Sequence, residues 1–277
     1  MMPVGFGRRA SARWAPGGVV GSLAVGTSTA QASANPTASQ REQYERDGYL
    51  ILDSVGIEPA TLDAIVDDLE ELYGDIREEG GVTYAKRRIR DAWRISPNVK
   101  ALALAPDALQ MLEAFYERKP IPFQTLNFRV GSQQAPHSDT LHFNTMPSGY
   151  MCGMWVALED IDMDNGPVVF YPGSHKLPEV TMQDVGVRPE KSEYHHYERY
   201  IAGLMEEKGF APEYATIRKG QALLWAANIV HGGSKVKDPK RTRHSQVTHY
   251  FFEGCRYYIP LFSGDEQIVW HDAEPIV

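Results

Sequence analysis

Hydrophobic positions follow two different periods along the chain. In EPATLDAIVDDLEELYGDI, Leu62, Ile65, Val66, Leu69, Leu72, Tyr73 and Ile76 recur at three- and four-residue spacing behind Pro59. This predicts an amphipathic helix with an acidic outer face. APDALQMLEAFYERK predicts a second helix, stopped by Pro120. Ahead of both, REQYERDGYLILDS reads as a short helix, a turn at Asp47-Gly48 and an apolar strand. The two longer helices are expected to cover one side of a sheet.

After Pro122 the period shortens. FQTLNFRV, YMCGMWVALEDI, PVVFYP, ATIRK, QALLWAANIV and QVTHYFF are short alternating or continuous apolar runs. Turn signals at Asp164-Asn165-Gly166, Pro172-Gly173-Ser174 and Lys219-Gly220 separate them. Many short strands with little helix between them predict a mainly β fold with flanking helices: a sandwich, jelly roll or barrel. The longest interruption, residues 179–213, contains the helix-like EYHHYERYIAGLMEEKGF. No internal repeat of fixed period is present.

Residues 1–40 differ in kind, with no acid and much Ala, Gly and Ser. They will not build a core. Arg8, Arg9, Arg13 and the run AQASA imitate a secretory or transit peptide, and a disordered tail or an over-long start reads equally from the same residues. The expected folded domain is residues 41–277, with 179–213 as a lid insertion. Only three of the 28 basic residues fall in that first segment, so 25 stand against all 36 acidic ones in the remainder. The acidic balance argues against a nucleic-acid surface, and no stretch is apolar enough for a membrane span. Cys152 and Cys255 alone cannot form a disulfide scaffold or a paired-cysteine zinc site, which suits a reducing, cytoplasmic setting.

The densest candidate chemistry is PHSDTLHFN at 136–144. On a strand, His137 and Asp139 share a face and can grip one ion, while His142 points away. His196-Tyr197-Glu198 offers a rival triplet, but on a helix positions i and i+2 diverge. Downstream, KGQALLWAANIVHGG runs through an apolar strand to His231 and a Gly-Gly turn, and TRHSQVTHYFF sets Arg243 and Ser245 two residues apart. Two imidazoles and one carboxylate on one face of an octahedral ion suit non-haem Fe(II) oxygen chemistry. An arginine fork near that ion suits the far carboxylate of a dicarboxylate co-substrate.

Taken in order, YERDGYLIL, His137-Ser138-Asp139, Trp155 in MWVALED, Asp164-Asn165-Gly166, PGSH at 172–175, His231-Gly232-Gly233 and Arg243 followed by His249-Tyr250 resemble the phytanoyl-CoA dioxygenase family of Fe(II)/2-oxoglutarate-dependent oxygenases. The resemblance covers nearly all of residues 41–260. It implies a double-stranded β-helix, a cupin-like jelly roll. It also implies Fe(II) held by His137, Asp139 and His231, with 2-oxoglutarate and O2 as co-substrates and the distal carboxylate on Arg243. Trp155 matches a tryptophan lining the co-substrate pocket. The implied reaction hydroxylates an unactivated C–H bond of a small molecule and releases succinate and CO2. Asp139 argues against halogenation, because halogenating relatives lack that carboxylate.

Two positions depart from the pattern. Gly233 stands where family members often have Ser, so Ser245 or Ser234 is expected to supply the hydroxyl. Arg243 lies one residue farther from His231 than is common, with Arg241 as rival; the Arg-x-Ser pair and the Arg-x5-His-Tyr run favour Arg243. Thr140, Gln124 and Asn127 are further candidates for hydrogen bonds to co-substrate or substrate. His142, His244 and His249 read as satisfied strand histidines, and His175, Asn165 and Gly166 as loop-ordering residues. Tyr194, His195, His196, Tyr197, Arg199 and Tyr200 read as the substrate-facing part of the lid, which leans toward a polar or anionic substrate. The rival classes are a non-catalytic metal-binding jelly roll and a cupin-type isomerase or hydrolase. Neither needs a buried arginine.

Overall fold

The computed structural model describes residues 35–277; residues 1–34, and with them most of the distinctive N-terminal segment, lie outside the described residues. Helix α1 (Ala38–Asp47) starts three residues ahead of the expected boundary, because Thr37 and Gln40 form a reciprocal cap around its first turn. Gly48, at φ 80°, ends it and turns the chain into strand β1 (Tyr49–Leu52).

Helix α2 (Pro59–Leu69) buries Leu62, Ile65 and Leu69, one stripe of the predicted period. It is shorter than its apolar pattern. A 3-10 turn follows at Glu70–Leu72, Gly74 adopts φ 101°, and Ile76 is 84% exposed. Strands β2 (Arg77–Glu79), β3 (Val82–Tyr84) and β4 (Arg88–Arg90) form a meander that no period-2 pattern announced, each being only three residues long. Helix α3 (Pro97–Ala103), capped by Ser96, precedes α4 (Pro106–Tyr116). The latter stops at Glu117 in the left-handed region, and strand β5 (Pro120–Phe128) begins at once.

The remaining strands are β6 (Asn144–Met146), β7 (Met151–Ala157), β8 (Val168–Phe170), β9 (Glu213–Tyr214), β10 (Ala222–Ala226), β11 (His231–Gly233), β12 (Ser245–Phe252) and β13 (Arg256–Tyr258). The expected strand at 215–219 is displaced to β9, just before it. Helix α5 (Tyr194–Glu207) lies where the helix-like segment was expected. Antiparallel pairing gives a large sheet, β1-β10-β7-β12-β5-β4-β3-β2, a small one, β11-β8-β9, and the ribbon β13-β6. Together they make a cupin-like jelly roll.

Both faces of the large sheet are covered, so β7 and β12 are buried at every position. Cys152, Met154, Val156 and Tyr250 pack with α2, α3 and α4 residues such as Ile65, Val99 and Leu112. Trp155, Leu223, Trp225 and Val247 face the small sheet and pack with Val168, Phe170 and Ile229. Among the described residues no helix is long and apolar enough to cross a membrane.

Segment 179–213 is anchored within the fold. Tyr197, Ile201 and Met205 of α5 pack with Leu141, Val230 and Leu261, and the Tyr197 hydroxyl accepts a hydrogen bond from the Ser138 amide at 3.2 Å. The expectation of a detachable lid is therefore revised: α5 braces the chain beside Asp139.

Candidate active site

The chain at 137–142 is not a strand. His137 pairs with His231 through an isolated antiparallel bridge, each amide donating to the other's carbonyl at 2.9 Å. Ser138 then caps a 3-10 turn at Asp139–Leu141. Successive side chains in such a turn step by about 120°. Asp139 comes back toward His137, and Thr140 is carried away. The Thr140 hydroxyl meets Ser138 Oγ at 2.6 Å and Asn228 Oδ1 at 3.2 Å and does not line the cavity holding the histidines. Its expected co-substrate contact is corrected accordingly. Asn127 is corrected too: alternation along β5 turns it to the helix side, where it donates to Gln246. Gln124 does not line the cavity either.

His137, Asp139 and His231 each bring one donor atom to within 4.8 Å of the others. The Nε2 atoms of His137 and His231 stand 3.8 and 3.7 Å from Asp139 Oδ1. The opposite ring nitrogens face main-chain carbonyls, Ala135 O at 2.9 Å and Ile229 O at 3.2 Å, which turns both Nε2 atoms inward. Burial lowers the His137 pKa to about 3, with the His231 ring adding to the effect. Burial alone would raise Asp139, but His231, the His249 hydrogen bond and His137 hold the carboxyl well below the usual range. Residues 137 and 139 thus stand in their metal-binding forms at neutral pH.

Asp139 Oδ2 is held from behind. Trp225 Nε1 donates to it at 2.9 Å, and His249 Nε2 lies 3.6 Å away. His249 is therefore not the satisfied strand histidine expected, since its Nδ1 has no partner. The signal was its even separation from Arg243 along one strand, which puts both on the same face. Trp225 can lie across β7 only because position 153 is glycine; a Cβ there would collide with the indole. Trp225→Phe should preserve the packing but weaken metal binding roughly 10- to 100-fold, the usual loss when a ligand's supporting hydrogen bond goes. Competitive metal titration checks this; an unchanged affinity would mean that Asp139 needs no support.

Arg243, Ser245, Val247 and His249 alternate onto the cavity face of β12 and its approach. Arg243 is 2% exposed and donates from Nη1 to Ser245 Oγ at 2.6 Å. Its guanidinium lies 5.3 Å from the Trp155 ring and 5.4 Å from that of Phe128. Among the described residues no carboxylate lies within 4.0 Å of it, and its Nε has no partner, as Trp155 Nε1 has none. Burial lowers its pKa to about 10, which leaves it charged at neutral pH. Arg241 differs throughout: it is partly exposed and grips both oxygens of Asp162 at 2.8 and 2.9 Å. Asn165 supports the approach to Arg243 by donating to Thr242 O.

The Gly232-Gly233 pair follows from crowding. A Cβ at 232 would lie 2.8 Å from Gln134 O, and one at 233 would collide with Ser132 Oγ and the Gln133 amide. Ser234 is engaged with Pro167 O at 2.7 Å. Gly233→Ser should therefore cost about 1–3 kcal/mol of stability through overpacking, read as a lower Tm; an equal or higher Tm would show that segment 132–135 yields freely.

Residues 44–245 match the model of the phytanoyl-CoA dioxygenase family, well over half of the chain. The chain belongs to that family. Phytanoyl-CoA dioxygenase domain-containing protein 1 of Danio rerio is 32% identical over 129 residues, covering 43% of this chain and 40% of that protein, less than half its length. Peroxisomal phytanoyl-CoA dioxygenase of Homo sapiens is 20% identical over 262 residues, covering 84% of this chain and 73% of it. Among solved structures, EctD from S. alaskensis with 2-oxoglutarate and 5-hydroxyectoine superposes with TM-score 0.63 at 19% identity, covering 88% of this chain and 86% of that one. The non-heme alpha ketoglutarate dependent carbocyclase SnoK from nogalamycin biosynthesis also gives 0.63, at 17% identity and 81% and 88% coverage. At such identities the shared feature is the fold.

Proposed function

We propose that this family member is an Fe(II)- and 2-oxoglutarate-dependent dioxygenase that hydroxylates a C–H bond of a small molecule. The observation that carries the reading is Arg243, a buried cation without an anionic partner, in the same cavity as the His137, Asp139 and His231 donors. A buried charge left unpaired is costly, and a dicarboxylate bridging the two ends of this cavity supplies the missing anion. The site fits the group: Arg243 Nε and Trp155 Nε1 are two N–H donors without partners.

Bound Fe(II) would supply O2 activation coupled to the decarboxylation of 2-oxoglutarate to succinate and CO2. The chain's part is to hold the ion through three side chains and to fix Asp139 with Trp225. Arg243 and Ser245 orient the far carboxylate, and Trp155, Phe128 and Val247 keep the pocket dry. SnoN, a neighbour of the same fold, is described as an epimerase; hydroxylation is preferred here as the family's reading, and product analysis separates the two. Anaerobically purified, iron-loaded protein incubated with 2-oxoglutarate should form succinate. Metal uptake without succinate would favour the non-catalytic metal-binding reading.

A further inference from the structure

The hairpin joining β3 to β4 carries Lys86, Arg87 and Arg88 in succession, in a chain of net charge −8. Arg90 and Arg94 nearby are neutralised by Asp91 and Glu274. Among the described residues no carboxylate lies within 4.0 Å of Lys86, Arg87 or Arg88. Arg88 pairs directly with Phe128 across β4 and β5. Cross-strand partners project on one face of a sheet, and Phe128 lines the metal cavity. Arg88 therefore projects toward the cavity's side of the sheet.

Two residues meet it there. His142 Nε2 lies 3.1 Å from the Tyr194 hydroxyl, and the His142 ring centroid is 6.0 Å from that of His137. Arg88 acts electrostatically on both Tyr194 and His142. Arginine, tyrosine and histidine thus converge beside a metal-ligand candidate, and none is used by the chemistry assigned above.

We propose that Arg88, His142 and Tyr194 form an anion subsite at the mouth of the metal cavity, which seats the carboxylate or phosphate of the substrate while Lys86 and Arg87 draw it in. The proposal rests on the function proposed above and narrows its substrate to an anionic small molecule. Burial lowers His142 to about 4, so the fixed positive charge comes from Arg88, and His142 and Tyr194 offer neutral hydrogen bonds. A basic hairpin tip on an otherwise acidic molecule focuses anions on the site it overhangs.

The test uses the full chain loaded with Ni(II) and saturated with 2-oxoglutarate, so that the first anion position is filled. Hexanoate, hexyl phosphate and uncharged hexanamide are titrated calorimetrically. The expected result is binding of at least one anion and not of the amide, weakened roughly tenfold in Arg88→Gln, with 2-oxoglutarate affinity unchanged. Preference for hexanoate or hexyl phosphate identifies the headgroup. Lys86→Gln/Arg87→Gln should slow association and reduce its salt dependence with less effect on affinity. The subsite is overturned if wild type binds 2-oxoglutarate but neither anion, if the amide binds as well as the anions, or if Arg88→Gln binds them as wild type does. A wild type that takes up no 2-oxoglutarate removes the parent function instead, and this assignment with it.

Discussion

His231→Ala is expected to abolish succinate formation while leaving the chain folded. The fold should survive because His231 contributes to it mainly through its backbone: its amide and carbonyl exchange hydrogen bonds with His137, both at 2.9 Å, and β11 pairs with β8 through main-chain groups. Alanine keeps all of these. The imidazole has another role, with Nε2 3.7 Å from Asp139 Oδ1. Loss of a supporting hydrogen bond alone costs a metal site about 10- to 100-fold in affinity, and loss of a ligand should exceed that. Bound iron measured after desalting should fall to background and succinate below detection, with an unchanged circular dichroism spectrum. Full activity in this variant would remove the triad assignment.

Arg243→Met is expected to raise the KM for 2-oxoglutarate by roughly 10- to 150-fold, the equivalent of about 1.5–3 kcal/mol for a hydrogen bond to a charged group. The same change should leave the Tm of the ligand-free protein unchanged or higher. The guanidinium is buried, lacks a carboxylate partner and keeps one donor unsatisfied, so in the absence of co-substrate it is a burden that a methionine of similar length does not carry. Arg241→Met, by contrast, removes an exposed pair with Asp162 and should change neither quantity by more than a small factor. Steady-state kinetics and thermal melts on both variants decide it. A larger KM effect at 241 would identify the wrong arginine here, and a sharp loss of Tm at 243 would make it a structural residue.

Much of this was readable from local pattern. Two- and three-to-four-residue periods located β7, β10, β12, α2 and α5, because a side chain's face is set by the backbone's own repeat. The order of His137, Asp139, His231 and Arg243 was readable as chemistry, since few roles use two imidazoles, a carboxylate and a downstream arginine together. The sequence by itself thus determined the fold class, the donor set and the choice of arginine.

Tertiary structure decided what depends on distance between segments. Whether Asp139 reaches His137 was settled by a 3-10 turn inside an expected strand, a shape with no period of its own over three residues. Trp225 and His249 became supports of Asp139 only once β10 and β12 were seated in one sheet. Gly153 and Gly233 have meaning only as spaces that an indole and a crossing loop fill. Lys86, Arg87 and Arg88 were visible as a basic run, but only the pairing of Arg88 with Phe128 turns that charge toward the cavity. Local periodicity reports which face a residue occupies, whereas contact between faces is fixed by strand order and register, and these belong to the whole chain.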